Sequence, residues 1–456
     1  MSNELGGGRG SYRRISKIRL VNYSLPILAI EFVIFPVLAI LPSFYVNFSG
    51  GELASYATAI LISRLVYSCS GPVVGYLSDR FTTRWGRRKP WMVAGTVVEV
   101  ISVYLVFVPP AHAGPNYFAW TAALALLGFS MIDVPYIAWG SELTRDYAGR
   151  SLIASYRAVF AVLGQVVFLA LPMTPAFGGK NLLEASTIAR LGFVAMLLLM
   201  VTMSVALLWG PKAEAEETAP AEAGVFALVA DMVRNVPMLY LTGATVFAFL
   251  GYCMQLTIAL QFMASIGFAS AFSALTLAGL VLSILTVPFW EMVTKRVGKN
   301  KCWAAALVVS FLGLPAYFVV APLFGTFAAL VVSSIVVALP NTYMLTSLPY
   351  SIMGDVIDYD ELKSGSNRSA NYSAIILLVI RLQVAIGGAI AFFILSAMRF
   401  DVHRVSSHAV QPAMIAAYFV VPGVFMLLAL ACTWPFPLDA RRAAIVRRRL
   451  ERRAGG

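Results

Sequence analysis

Charge is what this sequence has least of. Only 12% of its 456 residues are Asp, Glu, Lys or Arg, while 59% are hydrophobic and mean hydropathy is +0.80. Soluble domains carry about 25% charged residues, so an ordinary soluble enzyme and a disordered scaffold are both excluded. Histidine is nearly missing: His112, His403 and His408 are the full complement. None stands in a nucleophile or metal-ligand constellation, so no catalytic centre, metal or cofactor is expected. Four cysteines, Cys69, Cys253, Cys302 and Cys432, lie in or beside apolar runs without paired spacing. They read as buried thiols rather than disulfides or ligands. Met1 to Leu20 is glycine-rich and basic, with no apolar core ahead of a small-residue cleavage site, so no signal peptide is expected.

What is present is a succession of apolar runs, and at about 20 residues per crossing the length accommodates roughly twelve spans. They fall at 21–47, 54–78, 91–111, 117–141, 153–173 and 189–210, then at 238–264, 270–294, 302–322, 325–353, 371–397 and 410–436. Between the two groups lies an acidic, alanine-rich stretch that continues as Val225 to Asn235, a pattern suited to a short amphipathic helix at the interface. The expected organisation is a cytoplasmic tail over 1–20, a six-helix bundle over 21–210, a cytoplasmic linker over 211–237, a second bundle over 238–436 and a basic cytoplasmic tail over 437–456. The fold class is an all-α membrane protein, twelve helices in two six-helix halves, expected to be a monomer.

The net charge of +12 would suggest nucleic acid in a soluble chain, but its placement suggests a membrane. Of the 34 basic residues, 27 lie in alternate segments that include both termini, 4 in the intervening loops and 3 within or at the edges of spans. Lys and Arg near span ends stay on the cytoplasmic side, so both termini are expected there, in a cell or inner membrane. The C-terminal run from Arg441 to Arg453 then reads as an anchor on anionic lipid headgroups.

The halves echo each other. Pro135 to Glu142 (PYIAWGSE) recurs as Pro349 to Asp355 (PYSIMGD), 214 residues later and at the same end of the fourth span of each half. Two parallel repeats are what a rocking transporter needs, with substrate held near the midplane between them.

Two motifs carry a family resemblance. Gly75-Tyr76-Leu77-Ser78-Asp79-Arg80, followed by Gly86-Arg87-Arg88, resembles the major facilitator signature; Glu291, Lys295, Arg296, Gly298 and Lys299 are a degenerate second copy. Gly75 is expected to let helices approach closely, and Asp79 to accept charge-assisted bonds from nearby arginines. Trp85-Gly86 with Lys89-Pro90-Trp91, Asp133-Val134-Pro135-Tyr136 with Glu142 to Asp146, and Asp355 to Glu361 with Gly365 and Arg368 resemble the glycoside-pentoside-hexuronide:cation symporter family. That resemblance implies a secondary transporter of a sugar or glycoside. It also implies a cytoplasmic gate drawn from Asp79, Arg80, Arg87, Arg88, Glu142, Asp355, Asp358 and Arg368.

Ionisable groups inside spans cost about 2.5–3.5 kcal/mol each at a helix centre, so each asks for a reason. Glu31, Arg64, Asp133, Arg157 and Arg381 stand within or at the edges of spans. The resemblance places Glu31 and Asp133 at acidic sugar-contacting positions and Arg64 at their basic neighbour. Carboxylates accept from adjacent hydroxyls and an arginine donates in a fixed fork. The expected substrate site is Glu31, Arg64, Tyr67, Asp133, Tyr136, Arg157 and Arg381, with Tyr23 and Trp139 as further aromatic wall. Buried ion pairs that only fix packing are the alternative.

The main departure from the family lies in the second span. Tyr67 and Gly71, ahead of Pro72, stand where the resemblance implies two aspartates that bind sodium. Hard cations need oxygen ligands with negative charge, so the sodium site is expected to be lost. Coupling would then fall to a proton on Glu31, Asp133 or, less directly, Glu99, or be absent. Two other functions stay open: a lipid or amphiphile translocase, and a non-transporting sensor. Amide or charged groups beside aromatics in the pocket would favour sugar; a lateral apolar opening with one headgroup charge would favour lipid.

Overall fold

A computed structural model describes residues 16–81, 83–143, 147–177, 181–211, 235–365, 368–406 and 410–454. Among these residues there are helices and connecting turns and no β-strand. The first half comprises α1 (Lys17–Ala39), a short α2 (Leu41–Ser49), α3 (Leu53–Arg80), α4 (Lys89–Phe107), α5 (Pro115–Ser141), α6 (Tyr147–Ala170) and α7 (Ala185–Trp209). The second comprises α8 (Val236–Ser265), α9 (Phe272–Leu285), α10 (Val287–Val297), α11 (Lys299–Phe324), α12 (Thr326–Ser364), α13 (Ser369–Ala397), α14 (Pro412–Thr433) and α15 (Ala440–Ala454). Eleven of the described helices are long and apolar enough to cross a membrane, and α9 with α10 supplies a twelfth crossing bent by 42°. The all-α, twelve-span architecture read from the sequence is therefore observed. The interfacial helix expected over Val225 to Asn235 lies almost wholly outside the described residues.

Two spans depart from straight apolar rods. The α9–α10 bend falls where Pro288 enters the first turn of α10; proline supplies no N–H and breaks the ladder there. Thr286 Oγ1 (2.5 Å) and Trp290 Nε1 (3.1 Å) both donate to Leu339 O and fix the bend against α12. That helix contains a π-turn over Tyr343–Ser347 and runs on to Ser364, well past the expected end at 353, ending at Gly365 in the left-handed region (φ 73°). Asp355 and Asp358 thus sit on a helix rather than in a loop.

Close helix approach in the first half falls between α6 and α1, where a Cβ on Gly164 would collide with Leu28 O, and between α4 and α5, rather than at Gly75 as expected. A Cβ on Gly75 would meet only Val134, at an ordinary 3.6 Å, whereas one on Gly95 would press on Ile132 N at 3.0 Å and one on Gly128 on Glu99 N at 3.0 Å. Small residues at those two positions allow the backbones to approach, as membrane helices require when apolar burial gives no driving force.

The segments at 16, 209–211, 235 and 440–454 lie at one end of the bundle, called here the near end; α2 and the α8–α9 turn lie at the far end. One apolar core joins the first half to the far-end part of the second, including Met254, Phe262, Tyr317, Phe392 and Phe419. A separate core around Met238, Trp303, Leu348 and Tyr372 fills the near end of the second half alone. The halves are continuous at the far end and divided at the near end.

Candidate functional site

A cluster of four charges lies midway along the bundle. Asp133 on α5 pairs with Arg381 on α13 across the boundary between halves, at 3.6 Å, with both side chains about nine-tenths buried. Arg157 on α6 places its guanidinium 4.9 Å from the Tyr136 ring centroid, and Arg381 sits 4.8 Å from that of Tyr67. Cation–π contacts of this kind stabilise by about 0.5–2 kcal/mol. Glu31 on α1 accepts from Gln165 Nε2 on α6 at 3.0 Å, and it shares the electrostatic neighbourhood of Asp133 and Arg157. Two carboxylates and two guanidinium groups therefore face one another, which offsets the cost of each within the membrane.

Arg381 is held by an absence. A Cβ at position 71 would collide with its Nη1, so only glycine opens the notch the guanidinium fills. Ser68 Oγ, one turn away on α3, donates to Arg381 O at 3.1 Å. The guanidinium thus lies against Tyr67 and Gly71, the two positions at which the resemblance implies aspartates.

Arg64 is not part of this cluster. Its side chain, with the residue 2% exposed, donates from Nη1 to Val384 O (2.9 Å) and Thr257 Oγ1 (3.1 Å), both in the second half, and from Nη2 to Leu38 O (2.5 Å). Gly388 gives it room, since a Cβ there would collide with Nη1. Nearby, toward the far end, Asn47 Nδ2 donates to Gln261 Oε1 at 2.6 Å, and Ser43 Oγ to Thr257 O at 3.4 Å. These are neutral bonds across the boundary. Glu99 faces Gly128 between α4 and α5, with Oε2 unpartnered among the described residues, apart from the four charges.

The aromatic residues divide in the same way. Tyr23 and Tyr136 stack at 4.7 Å and exchange bonds, each hydroxyl donating to the other's carbonyl (3.0 and 2.7 Å), with Trp139 edge-on at 5.1 Å. All three are buried and clasp α1 to α5. Tyr136 offers Arg157 a ring face rather than a hydroxyl.

Beside the charges lies a cavity of about 440 Å³ between the halves, within the usual range for small-molecule sites of about 300–1,000 Å³. Phe35, Val162, Gln165 and Leu169 come from the first half, and the remaining lining, including Tyr252, Gln255, Asn341, Thr346 and Tyr418, from the second. Gln165 connects cavity to cluster through Glu31. None of the second-half lining was singled out from sequence; the available signal was uncharged amides inside apolar runs, which is weaker than charge because an amide costs less to bury.

At the near end each half closes its own ionic network. Arg88 pairs with Asp79 (2.5 Å) and Glu142 (3.0 Å), and Arg80 lies over the Tyr76 ring at 4.3 Å. Arg87 stands in the adjoining turn. In the second half Asp355 takes Lys299 and Arg447, each at 2.6 Å, and Arg447 also reaches Asp358 at 3.2 Å. The Asp355 carboxylate holds the Arg447 guanidinium above its ordinary pKa. Arg368 occupies the position just before the first turn of α13, without a side-chain capping bond. Through Arg447, α15 folds back beneath α12.

The family model described as MFS/sugar transport protein matches residues 22–440. The inner membrane symporter YicJ of Escherichia coli is 24% identical over 396 residues, covering 84% of each chain. The isoprimeverose transporter of Lactiplantibacillus pentosus is 24% identical over 409 residues, covering 85% of this chain and 82% of its own. Among solved structures, the nucleoside transporter NupG superposes with a TM-score of 0.66 at 14% identity, covering 93% of this chain and all of its own.

Proposed function

Because the chain belongs to the MFS/sugar transport protein family of multi-pass membrane transporters, we infer that it moves a sugar or glycoside across the membrane by alternating access. The observation that carries this reading is the cavity between the halves, where uncharged amides and hydroxyls stand beside aromatic rings next to a balanced charge cluster. Hydroxyl-rich ligands need both donors and acceptors, and amides offer both. An isoprimeverose transporter among its relatives is in keeping with a sugar as cargo.

Transport is proton-coupled or passive rather than sodium-driven. Tyr67 and Gly71 supply no carboxylate, and Arg381 places a resident positive charge against both. A second cation beside a guanidinium would be repelled in a low-dielectric setting. Uptake of a labelled sugar panel into proteoliposomes should saturate with at least one member, and replacing sodium by choline should leave its rate unchanged within about twofold. Steep sodium dependence would mean that Ser68, Ser70 and backbone oxygens rebuild an ion site. Glu31 and Asp133 are the groups available to carry a proton.

The near end faces the cytoplasm, on the distribution of basic residues. The continuous far-end core and the divided near-end cores then describe a carrier open to the inside. Single cysteines near Lys212, probed with an impermeant maleimide, should react in inside-out vesicles and stay unlabelled in intact cells. Labelling in intact cells reverses the orientation.

A further inference from the structure

Beyond the class of cargo, the distribution of charge says which sugars fit, and this step rests on the sugar-transport reading. We propose that the cavity selects an uncharged glycoside and rejects the matching uronide, the same sugar carrying a carboxylate at C6. The cavity lining contains no Asp, Glu, Lys, Arg or His. Its polar groups are suited to hydroxyls. Gln255 donates to Tyr418 O (3.2 Å) and Gln165 to Glu31 (3.0 Å), which leaves both side-chain carbonyl oxygens as acceptors. The Asn341 amide and the Tyr252 and Tyr418 hydroxyls make no hydrogen bond among the described residues, and the Tyr418 ring is held by stacking on Phe262 at 4.4 Å.

A carboxylate would need a cation; none lines the cavity, and Arg64, Arg381 and Arg157 are each turned to other contacts, with Arg157 Nε and Arg381 Nε left without a hydrogen-bond partner among the described residues. Arg64 is spent on three neutral acceptors away from the cavity. Arg381 is seated in the Gly71 notch, against Tyr67 and paired with Asp133. Arg157 lies on Tyr136 within the field of Asp133 and Glu31. Counted together, Glu31 and Asp133 balance Arg157 and Arg381. With both carboxylates ionised, a uronide adds a negative charge to a cavity whose lining supplies no cation, an arrangement that burial penalises.

The test is calorimetric titration of the purified full chain in nanodiscs with glucosides and galactosides, each paired with its C6 carboxylate counterpart. At least one neutral member should bind, with its uronide weaker by about a hundredfold or more, and Asn341→Leu and Tyr418→Phe should each weaken the neutral ligand by about tenfold. A uronide that binds as tightly as its neutral partner overturns the inference while leaving sugar transport standing. Binding of neither, in protein shown to be folded and monodisperse, removes both. Neutral binding that ignores both variants places the ligand outside this cavity and overturns the assignment.

Discussion

Asparagine at position 133 will destabilise the folded protein by about 3–5 kcal/mol, as will glutamine at position 381, yet the two together will cost clearly less than their sum. The asymmetry comes from burial. Asp133 and Arg381 are each about nine-tenths buried and pair across the boundary between halves, so removing one strands the other where water cannot compensate it. Removing both leaves two neutral amides and no stranded charge. Thermal unfolding of the purified single and double variants in one detergent gives the coupling energy directly. Strict additivity would show that the two groups do not sense each other. Uptake should fall in all three variants, because the pair also ties α5 to α13 through the region beside the cavity.

Alanine at position 64 will shift the balance between transport states rather than remove a substrate contact. Arg64 supplies two charge-assisted bonds that join the halves toward the far end, to Val384 O and Thr257 Oγ1. Each is worth about 1.5–3 kcal/mol, so losing both moves a two-state equilibrium by a hundredfold or more. The shift favours the state in which the far end is open. Cysteines at Asn47 and Gln261, whose side chains are 2.6 Å apart in the closed far end, should cross-link readily with Arg64 present and at least about tenfold more slowly with alanine. Lysine should rescue only partly, since an ammonium lacks the fork that reaches three separate acceptors. Unchanged cross-linking together with lost sugar affinity would return Arg64 to the substrate site.

The spans were legible because twenty apolar residues match a bilayer, and the in-span charges because each is expensive. Partners were not legible. Arg64 and Arg381 look alike in sequence, both lone arginines in apolar runs, yet one faces carbonyls and the other a carboxylate; helix rotation and neighbouring glycines decide that, and Gly71 and Gly388 have no side-chain signature. The α9–α10 bend was hidden for a related reason. Proline occurs inside α1, α3, α5 and α11 without dividing those spans, so Pro288 stood out only once Thr286 and Trp290 were seen to share Leu339 O. Reading the C-terminal arginines as a lipid anchor missed the return of α15 onto Asp355, since that pairing joins residues 92 positions apart.

Protection of one engineered cysteine tests most directly whether the transported sugar occupies the cavity between the halves. With exposed Cys69 replaced by serine, Asn341→Cys should be alkylated by a small maleimide in purified protein, and a sugar that is taken up should slow that reaction in a saturable way, half-maximal near its transport KM. Alkylation unaffected by a sugar that the same preparation transports would place the translocation site elsewhere and contradict the account.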